Sequence, residues 1–190
     1  MPSSAPSPQA SSSRVRVYMA CSLDGYIAGP DDDLSWLEPP ADAPEPVEGG
    51  VDFEAFMAQI GAMLMGRRTH DVIAGFGTWL YGDVPVLVAT RRPLPEPAAP
   101  TVRTTAGDIA DVIADAKAAA GEKDVYLDGG ALIRQALDAG LVDELIITWI
   151  PILLGDGVRL FDGLLKRHPL TFDKHESFGQ GMVQLTVRPR

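Results

Sequence analysis

Residues 62–69 read Ala62-Met63-Leu64-Met65-Gly66-Arg67-Arg68-Thr69. An uncharged apolar run stops at a glycine, two arginines and a threonine follow, and residues 70–74 have the composition to start a helix. The pattern predicts a buried strand whose carboxyl end feeds a helix N-terminus, where free backbone N–H groups and the positive end of the dipole favour an anion. At such a junction Gly66 lets a ligand approach the backbone, Arg67 and Arg68 supply fixed charge, and Thr69 either caps the helix or binds a phosphate oxygen. Taken alone, the same residues also describe a surface turn with two solvated arginines.

Two further junctions of the same kind weigh against the plain turn. Residues 84–89 run into Thr90-Arg91-Arg92-Pro93, and residues 124–127 run into Asp128-Gly129-Gly130 and then a helix beginning at Ala131. In open α/β sheets ligands sit at the carboxyl ends of strands. Three such ends, two with arginine pairs, look like the seat of one long ligand with more than one anionic group.

The chain of 190 residues is most simply one domain, residues 14–190, behind a Ser-, Pro- and Ala-rich leader, residues 1–13, that reads as disordered. No apolar run approaches the roughly 20 residues of a membrane span, and a net charge of −10 argues against a nucleic-acid partner. Residues 17–66 hold ten Asp and Glu and no Lys or Arg, which leaves the remainder with 16 acids against 16 bases. That stretch is a solvated acidic loop, and it also argues against a phosphate entering beside it. A single cysteine, Cys21, excludes an internal disulfide and most cysteine metal sites, so no metal is expected and the location is cytoplasmic by default.

Alternating or continuous apolar runs predict strands over 14–21, 62–65, 84–89, 101–104, 124–127 and 144–152, with a terminal hairpin over 170–177 and 182–188. Helices are expected over 52–61, 69–74, 108–120 (capped by Asp108) and 131–139. Residues 22–28 turn at Asp-Gly, 29–50 form a long loop with Trp36 in its middle, and 93–100 form a Pro-rich connection. Strands alternating with helices and closed by a hairpin predict a mostly parallel sheet with an antiparallel edge.

Met65-Gly66-Arg67-Arg68-Thr69 resembles the Met-Gly-Arg-x-Thr junction of dihydrofolate reductases. Ser22-Leu23-Asp24-Gly25-Tyr26-Ile27-Ala28, and Val142-Asp143-Glu144-Leu145-Ile146-Ile147 leading into Pro151-Ile152-Leu153-Leu154-Gly155, resemble the reductase domain of the bifunctional riboflavin-biosynthesis deaminase-reductase. Asp128-Gly129-Gly130 is similar to that family's Glu-Gly-Gly or the folate enzymes' Gly-Gly. The resemblance runs from about Arg14 to the C-terminus. The zinc-deaminase signatures, His-x-Glu and Pro-Cys-x-x-Cys, do not occur.

The resemblance implies an α/β, dihydrofolate-reductase-like three-layer α/β/α fold, a homodimer built on the C-terminal strands, and NADPH as hydride donor. Gly66, Arg67 and Thr69 are then expected to hold the diphosphate and adenosine end, with Arg68 beside them. Thr90 and Arg91 are expected at the 2′-phosphate, and Asp128, Gly129, Gly130 and Ala131 under the diphosphate, with a cis Gly129–Gly130 bond. Ala20 and Ile27 are expected to line the nicotinamide.

On the substrate side, counting back from Gly66 and allowing a helix two residues shorter, Asp52 falls where folate enzymes keep their pterin-gripping carboxylate. Phe56 falls on their ring-packing phenylalanine. Asp52 is also what the first turn of any helix favours. Asp24 is a candidate polar group at the nicotinamide end, or a structural part of its turn. Trp36 closes over the pocket or anchors its loop, and His70 reads as a helix-surface residue. The basic residues that both parent families use for their substrates' anionic ends are missing from 24–66 and 76–83, leaving Arg159 and Arg167 as the candidates to reach in. The expectation is an NADPH-dependent reductase of a small nitrogen heterocycle, similar to 5-amino-6-(5-phosphoribosylamino)uracil reductase. The alternatives are a dihydrofolate or pterin reductase, or a catalytically silent NADP-binding module.

Overall fold

The computed structural model describes residues 13–38, 45, 48–94, 97 and 99–190; the expected leader, apart from Ser13, and parts of the 29–50 loop and the 93–100 connection lie outside the described residues. The described elements run β1 (Val15–Ser22), β2 (Tyr26–Ala28), α1 (Phe53–Met57), β3 (Ile60–Gly66), α2 (Arg67–Ala74), β4 (Val86–Ala89), β5 (Val102–Thr105), α3 (Ile109–Ala120), β6 (Asp124–Asp128), α4 (Gly130–Asp138), β7 (Glu144–Ile150), β8 (Val158–Arg159), β9 (Leu170–Phe178) and β10 (Met182–Pro189). Eight of the strands form one sheet in the order β5-β4-β3-β6-β1-β7-β10-β9. Pairing is parallel from β5 through β7, and β10 runs against both its neighbours. This is the expected mostly parallel sheet with an antiparallel C-terminal hairpin.

Two apolar cores explain the three layers. Ala62, Leu64, Val125 and Leu127 face α3 and α4 through Val112, Ile113, Ile133 and Leu137. Met63, Met65, Val86 and Val88 face the other way, onto Phe56 of α1 and Ile73 of α2. Central strands covered on both faces are apolar at every position, so residues 62–65 read as a run and not as an alternation. At the amino ends of β1, β6 and β7 the sheet is tied by a buried ion network. The Arg16 Nε donates to Glu144 Oε1 (2.6 Å), and Arg14 Nη2 pairs with Asp124 Oδ2 (2.8 Å). Charge at that end is satisfied internally, which leaves the carboxyl ends for a ligand.

Three boundaries differ from expectation in ways that matter. Strand β3 begins at Ile60, and α2 begins at Arg67 instead of residue 69, so Gly66 and not Thr69 occupies the cap position. Extended backbone at Gly66 (φ −76°, ψ 162°) lets the strand pass straight into the helix. The short β2 leaves the main sheet and pairs with β8, an element the sequence pattern did not signal because only two residues form it.

Candidate functional site

Strand β3 leads through α2 to β4, while β6 leads through α4 to β7 on the far side of β1. The connections therefore diverge between β3 and β6, and a crevice opens at their carboxyl ends. Register sets Met65 opposite Asp128 and Gly66 opposite Ala89, so three strand ends finish nearly level. Over them lies a cleft of about 660 Å³, of the size that holds a cofactor or a drug-sized ligand. Its wall brings together Ala20, Ile27, Gly66, Arg67, Arg68, Thr69, Asp128, Gly129, Gly130 and Ala131, ten residues drawn from four stretches of sequence.

Both helices at the cleft start without a side-chain cap. Helix α2 follows Gly66 and α4 follows Gly129, and neither receives a cap hydrogen bond. Their first N–H groups lack intrahelical partners, as in any helix, and here no side chain takes them. Above Gly66 the space is open, with no atom within 4 Å of where a Cβ would stand. Gly129 is the reverse. Its φ of +96° belongs to glycine, and a Cβ there would lie 2.6 Å from Thr69 Oγ1. The chain turns at this glycine through its torsion angles: every peptide bond among the described residues is trans, so the expected cis Gly129–Gly130 bond is corrected.

Three cations stand on the wall, and each has a partner. Arg67 Nε binds both Asp71 oxygens (2.7 and 2.8 Å) and its Nη1 donates to Pro93 O (3.2 Å). That contact sets the first arginine pair against the turn carrying the second. Arg68 Nε reaches across to Asp32 (2.7 Å), whose loop has Asp31 and Asp32 at φ +55° and +62°. Two consecutive left-handed non-glycine residues are strained, and the ion pair helps hold them. Arg134 Nη1 donates to the carbonyls of Arg159 and Leu160.

Aromatic rings and one carboxyl make the floor. Tyr18, Tyr81, Tyr126 and Asp128 all line the cleft. Tyr126 donates to Tyr18 O (2.8 Å) and Tyr18 to Val51 O (2.8 Å), which fixes two of the rings. Burial raises all three phenol pKa values, and the Asp128 charge adds to the shift at Tyr81 and Tyr126. Burial also pushes the Asp128 carboxyl up to about 6, opposed by the hydrogen bond it accepts from Gly129 N (2.6 Å). A carboxyl that titrates this close to neutrality, in a cleft, is a candidate acid.

Other anticipated residues lie outside the wall. Asp52 is the exposed cap of α1, its Oδ1 accepting from Ala55 N (2.8 Å). Phe56 is fully buried between Tyr18 and Tyr126 with Arg16 over its ring, so it is a core residue and not a pocket lining. Asp24 accepts from Ser22 Oγ, Leu154 N and Gly155 N, which hold its carboxyl down at about 2; it clasps two loops together. Trp36 is buried with its Nε1 donating to Asp33 O, so it anchors the loop. His70 is buried beside Trp79, not on the helix surface. Thr90 and Arg91 sit just past the end of β4, with Arg91 exposed and Thr90 Oγ1 accepting from Arg92 N. Arg159 stacks on Tyr26 (4.3 Å) and donates to Asp24 O, and Arg167 is exposed away from the wall.

The sequence reading missed Tyr18, Tyr81 and Tyr126 as wall residues, and Asp32 with them. Tyr18 and Tyr126 were legible as the opposite faces of predicted strands. Tyr81 carried no signal, because it lies in an irregular loop after α2.

The sequence model of the family described as the RibD C-terminal domain matches residues 13–184. A crystal structure of a putative riboflavin biosynthesis protein from Shewanella sp. PV-4 is 34% identical, covers 93% of this chain and 99% of its own, and superposes with a TM-score of 0.81. The uncharacterized protein YwjB of Bacillus subtilis is 29% identical over 174 residues, 90% of this chain and 96% of its own length. A dihydrofolate reductase from Enterococcus faecalis complexed with NADP(H) shares the fold at a TM-score of 0.58 and 15% identity, covering 93% and 96% of the two chains.

Proposed function

The chain belongs to the RibD C-terminal domain family, and on that premise we propose that it is an NADPH-dependent reductase of a small nitrogen heterocycle. The observation that carries this reading is the meeting of two uncapped helix N-termini, Arg67 and Asp128 at the ends of three adjacent strands.

The residues fit the cofactor. Open space over Gly66 admits a diphosphate to the N–H groups of α2, while the packing of Gly129 against Thr69 leaves room only for backbone at the start of α4. Arg91, with the neighbouring Thr90, would meet a 2′-phosphate beside the turn that Arg67 touches through Pro93 O. Ala20 and Ile27 are small and apolar walls for a nicotinamide. When bound, the reduced nicotinamide would supply a hydride to the electrophilic carbon of a C=N bond in the substrate. The nitrogen of that bond takes the proton of the Asp128 carboxyl, which regains one from water, so one hydride and one proton saturate one double bond. Asp52 keeps its cap bond and Phe56 its core packing, so the pterin-gripping arrangement of the alternative reading has no support here.

The test is steady-state oxidation of NADPH at 340 nm with aminouracil and pterin substrates. Turnover with one ring class supports the reading. Tight NADPH binding without oxidation across both classes would favour a silent nucleotide-binding module. A homodimer is proposed along the C-terminal hairpin, where Phe172 is exposed on the edge strand β9 and Val183 on its neighbour β10; sedimentation equilibrium would report it.

A further inference from the structure

The charge on the cleft wall is unevenly divided. Its cations are Arg67, Arg68 and Arg134, and all three lie in the first two turns of α2 or α4, beside the uncapped N-termini that the cofactor phosphates would take. The floor and the facing rim are different. Tyr18, Tyr81 and Tyr126 form the floor, Leu34, Leu37 and Phe76 stand on the rim, and the ionisable groups among them are phenols and the carboxyls of Asp128 and Asp32.

No hidden base changes this count. Residues 1–12, 39–44, 46–47, 95–96 and 98 include no Lys or Arg, and neither does any position from 17 to 66. Arg159, the nearest basic residue in sequence to the wall residue Val158, is committed to the Tyr26 ring and the Asp24 carbonyl. Arg68 is the cation that could swing from the loop, and it is neutralised by Asp32. A phosphate group laid on this floor would find no free guanidinium or ammonium to pair with, and an unpaired anion in a cleft walled by apolar and aromatic side chains is strongly unfavourable.

From this division of charge and apolar surface we infer that the substrate is a flat, uncharged nitrogen heterocycle carrying no phosphate, stacked among Tyr18, Tyr81 and Tyr126 with a ring nitrogen toward Asp128. The inference presupposes the reductase reading and narrows it. It separates this chain from an enzyme of phosphoribosylated rings: the rings share a shape, and the anionic tail decides between them. Tyr81 strengthens the assignment, because its hydroxyl has no hydrogen-bond partner among the described residues and is left for a ring substituent.

Equilibrium binding to the NADP⁺-loaded protein tests the inference independently of turnover. Calorimetric titrations would use matched pairs: an aminouracil riboside against its 5′-phosphate, and dihydroneopterin against its phosphate ester. The phosphate-free member of at least one pair should bind about a hundredfold or more tighter than its ester. Equal or tighter binding of the esters overturns the inference, as does failure of every ring to bind. Retained ring binding without NADPH oxidation defeats the reductase reading while leaving the substrate class standing. In the variant Leu37→Lys, a cation added to the rim should raise affinity for the ester by about tenfold at low salt, with little change for its partner. No gain for the ester would count against a phosphate-excluding rim.

Discussion

The four α-helices among the described residues begin in two ways. Helices α1 and α3 are capped by aspartates: Asp52 accepts from Ala55 N, and Asp108 forms a reciprocal capping box with Asp111. Helices α2 and α4 begin at Gly66 and Gly129 with no side-chain cap at all, and both of those starts open into the cleft. A side-chain cap contributes about 1 kcal/mol over alanine and a few tenths over glycine, so its absence twice at one place is a small cost in stability to the free protein. Where the N–H groups are kept for a ligand, a built-in carboxylate would compete with it. Helices that serve packing alone have no such conflict.

The largest effect should come from the acid at the start of α4. Asp128→Asn keeps the acceptor for Gly129 N and removes the proton, and hydride transfer should slow by about 10²–10⁴-fold. The wild-type rate should be highest below pH 6 and fall tenfold per unit above it, because the protonated form of a carboxyl with pKa about 6 is consumed there; in the variant that limb should vanish. Stability gives a second readout with a definite sign. The folded carboxyl titrates above its ordinary 3.8, so its favourable contribution is complete below that value and is lost as pH rises through about 6. Denaturant melts of the wild type should therefore weaken by about 3 kcal/mol across that window, and the variant should not.

Next in size is a deliberate exchange of one kind of helix start for the other. Gly66 already has cap-like backbone and free space for a side chain, so Gly66→Asp should cap α2 and raise the stability of the ligand-free protein by about 1 kcal/mol. The same carboxylate should weaken NADPH by about a hundredfold or more, read by fluorescence titration. Stabilisation without loss of binding would break the comparison. Arg91→Ala is smaller: about a tenfold loss for NADPH and little for NADH. Equal losses for both cofactors would remove Arg91 from the 2′-phosphate. At the bottom of the scale, Asp108→Ala should lower stability by about 1 kcal/mol and leave cofactor affinity unchanged, since α3 starts away from the cleft.

Most of the sheet was legible because strands buried on both faces are long apolar runs, and because each helix start was marked by Gly, Asp or a charge step. The cofactor side of the cleft was legible for the same reason: backbone positions at strand ends fall where the pattern changes. The other side was not. Asp52 and Asp24 carry the right chemistry, but a carboxylate in a helix cap or an Asp-Gly turn is first claimed by nearby N–H groups, and both were. Phe56 is aromatic at a plausible spacing, yet its ring completes the core beneath Tyr18. Tyr81 is positioned by packing against Trp79 across an irregular loop, and no local period announces such a contact.

In the proposed reading the unclaimed N–H groups of α2 and α4 receive the phosphates of one dinucleotide. A titration of the protein with NADPH, followed by nucleotide fluorescence and thermal melting, tests this directly. Saturable one-to-one binding with a melting temperature that climbs with cofactor concentration, both shifted to about hundredfold higher cofactor concentration or beyond in Gly66→Asp, is the predicted result. Unchanged fluorescence and melting, or binding that survives the added carboxylate intact, would contradict it.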